Sequence, residues 1–111
     1  DNIVVPVTVN NCEGICDTCD CHVFHQYTLR ITNGKRDALV QHLNDHQIPC
    51  GVYYPIPLHK QKAYADARYK EEDFPVTNQL VKEVVSLPMH TELDDEQIVH
   101  ITDAVIGFVN A

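Results

Sequence analysis

A small α+β domain is the architecture this sequence predicts: a mostly antiparallel sheet of three to four strands with three helices packed mainly on one face. Three observations predict it. Short β-rich stretches with period-two alternation are interleaved with stretches whose apolar residues recur at helical spacing. Turn and breaker residues, Asn33-Gly34 and Pro55 with Pro57 among them, stand at the ends of those stretches. The 111 residues are 44% apolar, which fits one domain with one modest core.

Ile3 to Val9 (IVVPVTV) reads as a short strand, and Pro6 confines it to an edge or an irregular place because proline cannot donate to a ladder. Residues 10–21 are rich in Asn, Asp, Gly and Cys and read as a loop. His22 to Ile31 alternates. Val23, Tyr27, Leu29 and Ile31 share one face, with Gln26, Thr28 and Arg30 opposite, and His25 falls on the apolar face. Asn33-Gly34 supplies a turn and cap for a helix over Lys35 to His46, striped by Leu39, Val40 and Leu43. Ile48 to Tyr54 is short, apolar and β-rich, a further strand that Pro55 and Pro57 end in an extended exit. Leu58 to Asp73 is polar, tyrosine-bearing and without a period. It reads as a functional loop with room for one helical turn.

Asp73 and Pro75 open a second helix, with Pro near its first position and Val76, Leu80, Val81 and Val84 as its buried stripe. Val84 to Met89 re-enters the sheet and stops near Pro88. Asp94 and Gln97 form a capping box before Ile98, Ile101, Val105 and Phe108, a last helix that runs nearly to Ala111. The order is strand, strand, helix, strand, helix, strand, helix, with no repeat and no low-complexity tract.

Eight basic against sixteen acidic residues leave a net charge of −8, and no apolar run approaches the roughly 20 residues of a membrane span. Neither nucleic acid nor a membrane is expected as a partner, since binding phosphates needs a basic face. Seven histidines would bring the charge to −1 if all were protonated, so solubility should fall in mild acid. The chain opens on Asp1, its only methionine is Met89, and no leader pattern precedes the first strand. It is therefore read as a piece of a longer protein.

Cysteine is the loudest chemical signal. Cys12, Cys16, Cys19 and Cys21 crowd into ten residues, and Cys50 stands apart. The C-x3-C-x2-C spacing of the first three matches enzymes that open S-adenosylmethionine with an iron–sulfur cluster, but those need a large partial barrel that 111 residues cannot build. Zinc is the soberer reading, because Cys16-x2-Cys19 has the pair spacing of a structural site that Cys12, Cys21 or His22 could complete. Cys19 and Cys21 are too close for two ordinary knuckles. An odd cysteine count without a secretory signal argues against a disulfide framework and for a cytoplasmic setting.

Tyr53, Tyr54, His59 and Gln61 follow a strand end, where phenols, an imidazole and an amide can hydrogen-bond the hydroxyls or carboxylate of a polar ligand. The competing reading half-buries a tyrosine and solvates His59. His25 and Gln26 form a third group, which strand alternation would send to opposite faces, with His25 as a core histidine. No nucleophile–base pair, glycine-rich phosphate loop or paired carboxylates appear. The runs Lys70 to Asp73 and Glu92 to Glu96 are solvated faces and helix starts.

The runs HVFHQYTLRI, RDALVQHL and GVYYPIPLHKQKAY, with DFPVT, SLPMH and ELDDEQI behind them, share one order and spacing. In this they resemble the C-terminal small domain of the DegT/StrS-type sugar aminotransferases, over about His22 to Phe108. The resemblance implies a piece of a pyridoxal-phosphate enzyme of the aspartate-aminotransferase fold. Such enzymes move an amino group, usually from glutamate, to a nucleotide-linked keto-sugar, in bacterial polysaccharide or antibiotic-sugar pathways, and work as homodimers. It divides the chain into residues 1–21, a strand and cysteine-rich loop, and residues 22–111, the small domain.

In that family the cofactor is held as a Schiff base by a lysine of the large domain. None of Lys35, Lys60, Lys62, Lys70 or Lys82 has a similar setting, so this piece alone should be inactive. By resemblance Tyr53 and Tyr54 fall where a His-Tyr pair touches the sugar nucleotide, His59 and Gln61 in the adjoining PLHxQ-like stretch, and His25 and Gln26 on a strand that runs toward the active site. Tyr53 departs from that histidine, Asn78 stands where an acid is common, and Thr91 replaces a frequent proline. An isolated small domain should also expose an apolar patch. The rival reading is a free-standing zinc-binding or interaction module organised by Cys12 to Cys21, which would lose its structure when metal is stripped.

Overall fold

The computed structural model describes residues 2–7 and 24–110. The elements run β1 (Ile3–Val4), β2 (Tyr27–Ile31), α1 (Arg36–Asp45), three short 3-10 turns, α2 (Pro75–Glu83), β3 (Val84–Leu87) and α3 (Asp95–Asn110). The sheet is wholly antiparallel in the order β1-β2-β3, with Ile3 opposite Ile31 and Leu29 opposite Val85. The fold class is the expected α+β domain, with three strands.

The predicted strand over Ile48 to Tyr54 contracts to one bridge. Gly51 donates to the Ser86 carbonyl at 3.0 Å and accepts from the Ser86 N–H at 2.7 Å, and the ladder goes no further. Pro49 has no N–H, and Pro55 and Pro57 draw the chain away on the other side. β1 stops after Val4, short of Pro6, and β2 begins only at Tyr27. The cysteines at 12, 16, 19 and 21, and His22, lie outside the described residues.

β2 and β3 present two chemically different faces. Leu29, Ile31 and Val85 are buried with Leu39 and Leu43 of α1, Ile48, and Ile101, Ala104 and Val105 of α3. Burying such side chains contributes about 1.5–3 kcal/mol each, before the entropy of ordering the chain is counted against it. On the opposite face Thr28 meets Ser86 at 2.9 Å between hydroxyls, and Arg30 donates to Glu83 at the end of α2.

The turn at Asn33-Gly34 forms as expected: Gly34 has φ +77° and the Asn33 Oδ1 accepts from the Lys35 N–H at 3.1 Å. Gln47, at φ 61°, closes α1 and drops Ile48 into the core. Pro75 opens α2, and Val84, already extended, turns the helix straight into β3. The capping box of α3 is present, with the Gln97 N–H donating to Asp94 Oδ1 at 2.8 Å and the Asp94 N–H to Gln97 Oε1 at 3.1 Å. Leu58 to Asp73 holds three 3-10 turns, Leu58–Lys60, Lys62–Tyr64 and Glu71–Asp73, where the sequence suggests one.

Candidate functional site

The bridge at Gly51 shapes the first cleft. It hangs the segment from Pro49 to Tyr53 beside the end of β3 and opens a depression of about 360 Å³ against the residues that precede β2. His25, Gln26 and Tyr53 all line it, with Ser86 buried in its floor. This corrects the expectation that His25 and Gln26 face apart. Both precede the ladder, with a bend at His25, so strand alternation does not govern them. Nor is His25 a core histidine; it is exposed.

With Tyr53 in this position, only a glycine fits at residue 51. A Cβ at that position would lie within 2.5 Å of Tyr53 Cε2 and Oη, so the tyrosine ring rests directly over the glycine. Tyr54 meets Tyr53 edge-on at 6.2 Å and is 74% exposed, outside the cleft. Cys50 also lines the cleft, but burial pushes its thiol up and leaves it protonated at neutral pH, a poor nucleophile.

A second cavity, of about 660 Å³, lies between the 3-10 turns and α2. His59 lines it with Tyr64, Tyr69, Phe74 and Asp66. The imidazole stacks on Phe74, centroids 4.3 Å apart and planes within 16°, and its Nε2 meets Asn78 Oδ1 at 3.2 Å. Lys60 pairs with Glu71 and holds that carboxyl below its usual range, chiefly through their hydrogen bond. Arg68 grips Asp66 through both carboxylate oxygens, lowers its pKa in the same way, and lies 5.6 Å over the Tyr69 ring. Gln61 donates to the Ile56 carbonyl at 3.4 Å and lines neither cavity.

The structure thus brings His25, Gln26 and Tyr53 together, and sets His59 in a separate aromatic cavity. Sequence reasoning missed Gly51 as the seat of Tyr53, and Phe74 and Asn78 as the frame of His59. The motif DFPVT contains Phe74, but nothing in its spacing points to His59. No group of three or more His, Cys, Asp or Glu side chains is placed to hold a metal among the described residues. All five lysines are exposed and none lines either cavity, so the residues present do not by themselves fit a Schiff-base holder for pyridoxal phosphate.

Residues 4–106 match the model of the DegT/DnrJ/EryC1/StrS aminotransferase family. The chain belongs to this family. Among its relatives, a pleiotropic regulatory protein of Geobacillus stearothermophilus is 44% identical over 87 residues, 78% of this chain and 23% of that protein. The UDP-N-acetyl-3-dehydro-alpha-D-glucosamine 3-aminotransferase of Acidithiobacillus ferrooxidans is 40% identical over 84 residues, 76% of this chain and 22% of that enzyme. The crystal structure of DesV from S. venezuelae, in complex with a ketimine intermediate, superposes with a TM-score of 0.84 at 29% identity, over 100% of this chain and 27% of that one. The chain therefore spans about a quarter of the length of these DegT-family proteins.

Proposed function

We propose that this chain is the part of a pyridoxal-phosphate-dependent aminotransferase that forms one wall of the pocket for a nucleotide-linked keto-sugar. The observation that carries the reading is the cleft in which His25, Gln26 and Tyr53 converge, within residues matched end to end by the family. Relatives named as transaminases of UDP- and dTDP-linked amino sugars support that substrate class. The sugar-side residues belong to 22–111, with 1–21 leading into them. Tyr53 and Tyr54 offer phenols to the sugar, Gln26 an amide, and His25 and His59 imidazoles, while Gln61 braces the loop between them. The amino donor is glutamate, and the cofactor and its lysine come from a larger part of the parent protein. That parent works in the cytoplasm as a homodimer, in the synthesis of a polysaccharide or glycan.

The test uses the full-length gene product beside the 111-residue chain. The full-length protein should take up pyridoxal phosphate and move an amino group from glutamate to a UDP- or dTDP-linked 3-keto-sugar, while the short chain does neither. In the full-length protein, Tyr53→Phe and His25→Ala should raise KM for the sugar nucleotide roughly tenfold each, one lost hydrogen bond apiece, and leave the glutamate half-reaction unchanged. Transamination by the short chain alone, or a glutamate half-reaction that falls with the sugar one, would overturn the assignment.

A further inference from the structure

Asn78 sits on α2, and its amide works in two directions. Its Nδ2 donates to the Glu71 carbonyl at 2.7 Å, which fixes which end of the amide is nitrogen. The oxygen then faces His59 Nε2 at 3.2 Å. An amide oxygen only accepts, so the proton of the neutral imidazole belongs on Nε2. The Asn78 N–H donates to the Phe74 carbonyl at 3.0 Å, and the Phe74 ring covers one face of the imidazole. Glu71 is paired with Lys60, so its carboxylate does not compete for the imidazole proton. Every buried side-chain nitrogen and oxygen among the described residues has a partner. His59 Nδ1 bonds no side chain or backbone group among them and is therefore accessible.

We propose that Asn78 is a positioning residue that fixes the His59 proton on Nε2, so that His59 presents Nδ1 as an acceptor to a ligand hydroxyl or N–H. The acceptor role rests on His59 belonging to the sugar pocket; the tautomer does not. A carboxylate at position 78 would also accept from Nε2, but it could not donate to the Glu71 carbonyl. It would favour the imidazolium as well, whose Nδ1 donates. The amide thus matches the site to a sugar hydroxyl and against a phosphate or carboxylate oxygen.

Long-range proton–nitrogen spectra of the 111-residue chain, taken where imidazoles are neutral, read the tautomer directly. His59 should be mainly Nε2–H in the native chain. Asn78→Ala should cut the ratio of Nε2–H to Nδ1–H several-fold, and Asn78→Asp should keep it. A dominant Nδ1–H form, or a ratio that survives in a folded Asn78→Ala chain, overturns the proposal. Should the alanine variant unfold, a folded Asn78→Asp chain that loses the Nε2–H preference does the same. The acceptor role is read in the full-length protein saturated with UDP-N-acetylglucosamine or dTDP-glucose, where the Nδ1 signal should shift. Binding with an unmoved Nδ1 signal overturns that role alone; failure to bind either nucleotide sugar overturns the pocket reading together with it.

Discussion

Glu83 carries its charge against the polar face of the sheet, with only 12% of its side chain exposed. Gln79 and Arg30 both donate to it, and these two hydrogen bonds, that from Gln79 first, hold its carboxyl below the ordinary value of 4.5. A carboxyl lowered by folding adds stability above its unfolded pKa, and that stability is lost as pH falls through the folded value. Acid unfolding should accordingly steepen below about pH 4.5, and Glu83→Gln, which keeps an acceptor but no charge, should flatten that limb. Urea midpoints of both chains at about pH 7 and about pH 3 check this; equal slopes would remove Glu83 from the account. Gly51 is held by sterics rather than by charge. Tyr53, whose ring a Cβ would meet, is half exposed and free to swing. Gly51→Ala should therefore cost below about 1 kcal/mol, less than the overpacking of a closed core, while moving the resonances of His25 and Tyr53. A loss of several kcal/mol would mean that the ring cannot yield.

Among the elements, the junction of α2 and β3 depends on a residue far away in sequence. Arg36, the first residue of α1, sends Nη1 to the carbonyls of Val81 at 3.1 Å and Val84 at 2.9 Å, and so satisfies the end of α2 where the chain turns into the sheet. Two charge-assisted bonds from one nitrogen of a mostly buried guanidinium predict a loss of about 2 kcal/mol for Arg36→Met in urea unfolding, and Arg36→Lys should restore part of it, because an ammonium has donors enough for both carbonyls. A midpoint within error of the native chain would contradict this. The same junction shows what the sequence could and could not say. Periodicity located α1, α3 and the paired part of β2, because those elements bury one face, and the capping box at Asp94 is a local pattern. α2 was found by Pro75, while of its expected buried stripe Val76 is exposed and the helix buries only Glu83. Periodicity also prolonged β2 back beyond Tyr27, where residues 24–26 lie outside the ladder, and so sent His25 and Gln26 apart. The run from Ile48 to Tyr54 looks like a strand because it is apolar and β-rich, yet only Gly51 pairs. Tertiary placement decides such cases, and the contact of Asn78 with His59, nineteen residues apart, leaves no periodic trace.

For the molecule as a whole, the segment from Tyr53 to Phe74 stands out against the rest. Tyr53, Tyr54, Ile56, Leu58, Tyr64 and Tyr69 are all exposed, an apolar and phenolic surface of the kind expected for an isolated small domain. The 3-10 turns are held by short local bonds and by Asn78, with no helix or strand of their own to anchor them. Such a segment should open locally at low free energy, while the sheet and its two covering helices open only with global unfolding. Chymotrypsin, which cuts after aromatic and leucine side chains, should therefore nick the 111-residue chain first between Tyr53 and Tyr69 and leave α1 and α3 intact. In the full-length protein, where this reading has the rest of the enzyme cover the segment, the same bonds should be cut at least tenfold more slowly, because the cleavable open state becomes rarer. An apolar dye should bind the short chain and lose its signal on the long one. Equal cleavage rates in the two proteins would mean that the segment faces solvent in both, and the sugar pocket would then have to be built without Tyr53, Tyr54 and His59.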